Sequence, residues 1–163
     1  MNEIIDFNEI SELVENLRKK YPGCKIAFTN GCFDLIHRGH VAYLEAAKQH
    51  ADFLILGLNS DESVRRLKGE ERPYIEQDDR AFILSRLEAV DVVCIFEQDT
   101  PLELIKRVKP DFLIKGGDYK PDEIVGREVV EQNGGKVLTI PLINGRSTTN
   151  IIKKIKNPGN EYV

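Results

Sequence analysis

The sequence predicts an α/β fold, a doubly wound sheet of five mainly parallel strands with helices on both faces, and three observations carry that prediction. Five short apolar runs recur along the 163 residues, at Lys25 to Phe28, Phe53 to Leu58, Val92 to Phe96, Phe112 to Ile114 and Val137 to Ile140. Each is nearly continuous rather than alternating, as expected of strands buried on both faces. Stretches with helical periodicity separate the runs, and that alternation of strand and helix implies right-handed crossovers onto one sheet.

The elements follow in order. Ile10, Leu13, Val14 and Leu17 repeat at i, i+3, i+4 and i+7, which predicts an N-terminal helix over residues 7–20, and Tyr21-Pro22-Gly23 ends it. Further helices are predicted at Gly39 to Gln49, Ser60 to Leu67, Asp78 to Ala89, Pro101 to Val108, Asp122 to Gln132 and Ser147 to Lys156. The chain reads as a single domain, 1–163, with a core over about 24–156 and a frayed tail at 157–163 that contains Pro158 and Gly159. In such a Rossmann-like sheet, ligands bind beyond the carboxyl ends of the strands, where strand order reverses. The residues just after each strand are therefore the candidates for function.

Composition narrows the function classes. Apolar residues make up 41% and charged residues 31%, as in a globular protein, and no apolar stretch approaches the ~20 residues that cross a bilayer. The acidic start Met1 to Asp6 is unlike a secretory leader, so a cytoplasmic location is expected. Cys24, Cys32 and Cys94 form no Cys-x-x-Cys pair, which predicts reduced thiols and no zinc cage. A net charge of −4 argues against a nucleic-acid partner, whereas a local basic pocket can still hold a small anion.

The richest segment follows the first predicted strand, Thr29-Asn30-Gly31-Cys32-Phe33-Asp34-Leu35-Ile36-His37-Arg38-Gly39-His40, where a helical stripe then begins at Val41 and Leu44. His37 and His40 are three apart and share a face of the first helical turn. The free N–H groups of a helix start and its dipole make that place suited to phosphate. Gly39 between them leaves room for close approach. Read as residues alone, the pair could instead be a helix cap or plain surface residues, or two metal ligands, although no third ligand stands near in the sequence. Neither a Walker loop, nor a Gly-x-Gly-x-x-Gly fingerprint, nor a Gly-x-Ser-x-Gly elbow occurs.

Gly31 to His40 resembles the G-x-F-D-x-x-H-x-G-H motif of the nucleotidyltransferase superfamily, the HxGH cytidylyltransferase-like enzymes that join a nucleotide to a phosphorylated small molecule. The resemblance implies that His37 and His40 contact the triphosphate and stabilise the transition state at the α-phosphorus. It also implies that Gly31, Cys32, Phe33, Asp34 and Gly39 line the nucleotide pocket, with Asn30 on the substrate side.

The other strand ends add candidates. Lys68 and Arg72 flank Gly69 in a charged loop, and the resemblance implies a phosphate or substrate role for basic residues there. Arg80 resembles the helix-starting arginine of the superfamily, while by itself it could pair with Asp78, Asp79 or Asp91. Lys115, at the end of a buried strand before Gly116-Gly117-Asp118-Tyr119, reads as a local charge beside a backbone that passes close to ligand. Gly117 and Asp118 are expected on the substrate side. Arg146-Ser147-Thr148-Thr149 starts the last helix, and it resembles the superfamily's S-T-T segment that holds the β- and γ-phosphates.

Taken together, Thr-Asn-Gly-Cys-Phe-Asp, Leu-Lys-Gly with Arg-Pro, Lys-Gly-Gly-Asp-Tyr and Gly-Arg-Ser-Thr-Thr resemble the adenylyltransferase family that makes ADP-heptose from ATP and D-glycero-beta-D-manno-heptose 1-phosphate. The resemblance implies Mg²⁺ carried with ATP, a sugar 1-phosphate co-substrate supplied by a separate kinase, and a homodimer or higher homo-oligomer. It makes His37, His40, Lys68 and Lys115 the catalytic candidates. Glycerol-3-phosphate cytidylyltransferases resemble the chain less, because Leu142-Ile143-Asn144-Gly145-Arg146 stands where they carry R-T-E-G-I. A domain that binds nucleotide without transferring it and a metal-dependent hydrolase are the other readings.

Overall fold

The computed structural model describes residues 1–157, so the expected fraying of the tail falls, apart from Asn157, outside the described residues. In chain order the elements are β1 (Glu3–Ile5), α1 (Ile10–Lys20), β2 (Ile26–Gly31), α2 (Arg38–Lys48), β3 (Phe53–Asn59), α3 (Asp61–Lys68) and α4 (Gln77–Ser85). There follow β4 (Val92–Phe96), α5 (Leu102–Val108), β5 (Phe112–Gly116), a 3-10 turn (Pro121–Glu123), α6 (Arg127–Gln132), β6 (Lys136–Ile140) and α7 (Thr148–Lys156). The strands form one sheet in the order β1-β4-β3-β2-β5-β6, and every pairing is parallel.

The expected doubly wound fold is present, with six strands instead of five. β1 pairs Glu3 to Ile5 with Val92 to Cys94 at the sheet edge. It escaped the sequence reading because it is three residues long and mostly exposed, so it has no apolar run to betray it. Three helices also differ, and the one expected over Asp78 to Ala89 runs Gln77–Ser85, closing at Arg86, whose N–H donates to the Ile83 carbonyl. The N-terminal one starts at Ile10, after a turn in which Glu9 N–H donates to the Asp6 carbonyl. The expected helix from Asp122 to Gln132 is split, because Gly126 adopts φ +88° and a Cβ there would lie 2.5 Å from Ile105 Cδ1. Only glycine satisfies both constraints.

Packing follows from the strand pattern. Ile26, Phe28, Ile55, Val92 and Leu113 face one side, where Ile10 and Val14 of α1, Leu104, Ile105 and Val108 of α5 and Val130 of α6 cover them. Ala27, Leu54, Leu56, Val93 and Ile114 face the other side, against Leu44 and Ala47 of α2 and Ala81 and Leu84 of α4. Because both faces of the central strands are buried, successive residues are apolar even though their side chains alternate. Asp111 ties the far end of the sheet together. Its carboxylate accepts from Ile26 N–H at 3.0 Å, Lys25 Nζ at 3.0 Å and an Arg18 guanidinium nitrogen at 3.1 Å.

The strand order positions the site. From β2 the chain winds outward through β3 to β4, and it returns to the other side of β2 for β5 and β6. The connections leaving β2 and β5 therefore diverge, and a crevice opens between their carboxyl ends. At the opposite end, Gly135 leads α6 into β6 with no space for a side chain: a Cβ would sit 2.8 Å from the Pro110 carbonyl and 3.0 Å from that of Asp111. Backbone cannot yield as a side chain can. Gly135→Ala is expected to lower unfolding stability by about 1–3 kcal/mol, measured by urea denaturation against wild type.

Candidate active site

The crevice holds two adjoining cavities of about 480 Å³ and 370 Å³ that share Asn30, Gly31, Cys32, Phe33, His40, Lys68, Lys115, Tyr119 and Thr148 as walls. They are two lobes of one cleft. The larger lobe adds Asp34, Asn59, Arg72, Thr100, Pro101 and Thr149, and the smaller adds His37, Tyr43, Gly116, Asp118, Leu142, Arg146 and Ser147. The histidine turn and the Ser147–Thr149 helix start thus face a common space.

The histidines cap their own helix. His37 is the N-cap of α2, its Nδ1 accepting from Gly39 N–H at 3.0 Å, while His40 Nδ1 accepts from His37 N–H at 3.3 Å. The rings stack with centroids 3.9 Å apart. With each Nδ1 occupied as an acceptor, the neutral tautomer carries its proton on Nε2. The capping alternative and the functional one are therefore compatible: the same bonds that start the helix fix two Nε2–H donors. Burial and the neighbouring His37 push His40 down to about 4, and burial with the Arg146 charge lowers His37. Both shifts favour the neutral imidazole.

Asp34 lines the larger lobe as expected, and its carboxylate is engaged by the protein itself. It is 1% exposed, and its carboxylate accepts from Arg72 Nε at 2.7 Å, Tyr74 N–H at 2.9 Å and Ile75 N–H at 3.0 Å. Burial alone would raise its pKa, but these bonds outweigh it and hold the carboxyl below its ordinary 3.8. Its backbone carbonyl takes the Thr148 hydroxyl at 2.8 Å, which joins the α2 and α7 starts. The flanking Phe33 and Leu35 sit at φ 46° and 52°, a conformation that side chains rarely adopt unless neighbours enforce it.

Arg80, expected at the nucleotide, lines neither lobe of the cleft. It is fully buried and spends its guanidinium on the carbonyls of Cys32, Asn59 and Ile75 and on the Asp61 carboxylate, at 2.5 to 3.0 Å. It anchors the loops after β2 and β3 from beneath. Arg72 lines the larger lobe, but Asp34 already holds its Nε. Gly117 stands outside both lobes because its N–H donates to the Ile140 carbonyl at 2.7 Å, and Gly116 forms the wall instead. Gly39 does line the smaller lobe, yet its missing side chain accommodates the protein itself: a Cβ would sit 2.9 Å from His37 Cε1 and 3.2 Å from Arg146 Cβ.

Lys115 bridges the switch point. It is 7% exposed, hydrogen-bonds Asn30 Oδ1, and burial lowers its pKa to about 8 despite the opposing Asp118. Lys68, Lys115 and Arg146 have no carboxylate within ion-pair distance among the described residues. Unpaired cations and aimed N–H groups around one cavity, at a switch point of a parallel sheet, make a place suited to an anion such as phosphate.

Sequence reasoning missed Tyr43, Tyr119, Leu142, Ile143, Thr100 and Pro101 as walls. Tyr43 was findable, being three residues beyond His40 on the same helix face, and its hydroxyl meets Thr29 Oγ1 at 2.8 Å and donates to the Ile114 carbonyl at 3.1 Å. Thr100 and Pro101 follow a strand at the far side of the larger lobe and carry no motif.

Fold and site together define a nucleotide-binding α/β transferase of the HxGH type. The chain belongs to the cytidylyltransferase-like family, whose pattern matches residues 28–154. The nucleotidyltransferase expected from its sequence is thereby borne out. It is 56% identical over 146 residues to the bifunctional protein HldE of Trichlorobacter lovleyi, covering 90% of this chain and 29% of that protein. With the HldE of Geobacter metallireducens it shares 59% identity over 137 residues, 84% of this chain and 28% of the relative. The chain thus spans under a third of the curated relatives it matches. Among solved structures, the lipopolysaccharide core biosynthesis protein of Thermoplasma volcanium superposes with a TM-score of 0.62 at 25% identity, covering 74% of this chain and 98% of that one. The pantoate-beta-alanine ligase of Francisella tularensis, at 17% identity and TM-score 0.59 over 94% of this chain and 76% of its own, shares the fold.

Two measurements check this geometry. In an NMR pH titration the His40 ring is expected to turn over near pH 4, well below the ordinary 6.5. Asp34→Asn is expected to cost about 3 kcal/mol by leaving Arg72 without its buried partner. Because the Asp34 pKa is depressed in the folded state, its contribution is present above pH 3.8 and is lost as pH falls through the folded value. The variant should accordingly lose less stability than wild type in acid denaturation below about pH 4.

Proposed function

We propose that the protein transfers AMP from ATP to heptose 1-phosphate, releasing pyrophosphate and ADP-heptose. The observation that carries the reading is the convergence of the His37 and His40 Nε2–H donors, the unpaired Lys68 and Lys115, and the Ser147-Thr148-Thr149 helix start on one cleft. The similarity to HldE proteins and to a lipopolysaccharide core biosynthesis protein supports a sugar phosphate as co-substrate. Leu142 and Ile143 with Tyr119 give the smaller lobe an apolar wall where cytidylyltransferases carry polar residues, which supports a purine.

In this mechanism a phosphate oxygen of the sugar attacks the α-phosphorus of ATP, and the bond from that phosphorus to the β-phosphate's bridging oxygen breaks. The nucleophile is ionised at neutral pH, so no general base is needed, and catalysis consists of positioning and charge stabilisation. His37 and His40 donate to the oxygens around the α-phosphorus as charge builds there. Lys68 and Lys115 neutralise the phosphates, and Arg146 with the α7 start receives the β- and γ-phosphates. Asn30 orients Lys115 toward the sugar phosphate, with Asp118 available to a sugar hydroxyl.

Mg²⁺ enters in the same reading. Among the described residues no group of three His, Cys, Asp or Glu side chains could hold a metal, and Asp34 has its carboxylate committed. The residues present suit an ion carried on the triphosphate and its waters, where it would offset phosphate charge. No described helix is long and apolar enough to cross a membrane, and free Cys24, Cys32 and Cys94 fit the cytoplasm, where ATP is supplied.

A matrix of ATP and CTP against heptose 1-phosphate and glycerol 3-phosphate, scored by pyrophosphate release, tests the reading. Signal is expected from ATP with heptose 1-phosphate, and binding without pyrophosphate in every arm would reject transfer. His40→Ala should lower turnover by about 10²–10³-fold and cost about 1 kcal/mol of stability through the lost cap. Turnover near wild type in the folded variant would refute the role of His40.

A further inference from the structure

The cleft is a fork between two strands. β2 stays paired with β3 up to Gly31 and Leu58, and β5 with β6 up to Gly116 and Ile140, whereas the pairing of β2 with β5 covers Ala27 with Phe112 and Phe28 with Leu113 and stops there. Continued in register, the next rungs would join Thr29 to Ile114 and Asn30 to Lys115. Side chains span those rungs instead. Tyr43 of α2 bridges the first, its hydroxyl 2.8 Å from Thr29 Oγ1 and donating to the Ile114 carbonyl at 3.1 Å, and the Lys115 ammonium bridges the second by donating to Asn30 Oδ1. Because the single phenol proton goes to Ile114, the Thr29 hydroxyl donates to Tyr43.

We propose, on the transfer reading above, that Tyr43 is a positioning residue whose hydroxyl fixes the His40 ring relative to the Lys115 ammonium across the fork. Tyr43 stands three residues beyond His40 on the same face of α2, and Ile114 immediately precedes Lys115. One hydroxyl thus ties the helix that carries both histidines to both prongs of the fork, including the strand that delivers Lys115. Two groups that act together on one phosphorus need a fixed separation, and a misplacement of about 1 Å costs on the order of 10²-fold in rate.

The ring and the hydroxyl have separable tasks. The half-buried ring packs against the core on the α2 side of the sheet, which phenylalanine would do as well. The hydroxyl lines the smaller lobe, yet its proton is committed to Ile114, and burial pushes the phenol above its ordinary 10, so it has no proton to give a substrate. The buried Ile114 carbonyl needs a partner wherever the ladder opens. That need accounts for a donor at this place, and the choice of a donor on the histidine helix accounts for the tie.

Steady-state pyrophosphate release by the full chain, with ATP and heptose 1-phosphate, tests the tie. In Tyr43→Phe kcat per folded molecule should fall about 30-fold while KM for each substrate stays within about threefold, because the loss is felt in the transition state and not in binding. Thr29→Val should lower kcat about 10-fold and Thr29→Ser, which keeps the hydroxyl, should return it to within about threefold of wild type. Circular dichroism and the thermal midpoint give the folded fraction of each variant; should Tyr43→Phe not fold, the two Thr29 variants decide. A lowered midpoint with kcat unchanged would mean that the hydroxyl serves stability alone and would overturn the proposal, as would a loss confined to KM or a Thr29→Ser variant as slow as Thr29→Val. In each of those outcomes the wild type still turns over. A wild type that releases no pyrophosphate from any substrate pair would instead overturn the transfer reading, and this proposal with it.

Discussion

The site depends on how the chain leaves the central strand. Two buried charges hold that segment: Asp34 from within, by accepting from Arg72 and the Tyr74 and Ile75 amides, and Arg80 from below, by donating to Cys32, Asn59, Ile75 and Asp61. An isolated buried charge is costly, whereas one with several well-placed partners is tolerated and directional. The left-handed Phe33 and Leu35 are held on either side of Asp34 by that lock. From there the direction of α2, the capping bonds of both histidines and the docking of Thr148 on the Asp34 carbonyl all follow.

The electrostatics of the cleft suit an anion. His40 is held neutral with a pKa of about 4 and Lys115 is lowered to about 8, both chiefly by burial. Each would be favoured in its charged form by a neighbouring polyanion, so phosphate binding and proton uptake reinforce each other. The net charge of −4 is no obstacle, because among the described residues Lys68, Lys115 and Arg146 have no ion-pair partner, while Asp34 is engaged by Arg72. Preorganised donors that need no rearrangement are what phosphoryl chemistry asks of a protein.

Particular residues show what was legible before the fold was known. The buried strands were visible as apolar runs, because burial on both faces removes polar residues from every position; the edge strand β1 was not, since exposure leaves no pattern in three residues. His37, His40 and Ser147 to Thr149 were found because caps and phosphate sites draw on few residue types at fixed spacings. Arg80 and Asp34 were also singled out, and in the structure the charges of both are engaged by other groups of the protein. Sequence shows that a charge is unusual in its place and does not show which partner satisfies it.

What the sequence by itself determined is local: which segments are strand or helix, where helices begin, and which side chains could meet an anion. Only the tertiary structure decided which of those side chains share a cavity. Residues 30, 68, 115 and 148 are far apart along the chain yet line both lobes, and they meet because parallel strands bring successive connections to the same edge of the sheet. It likewise turned Gly117 away while admitting Tyr43 and Thr100. Periodicity and capping are properties of a few neighbouring residues, whereas proximity across a sheet is set by strand order, which no local pattern encodes.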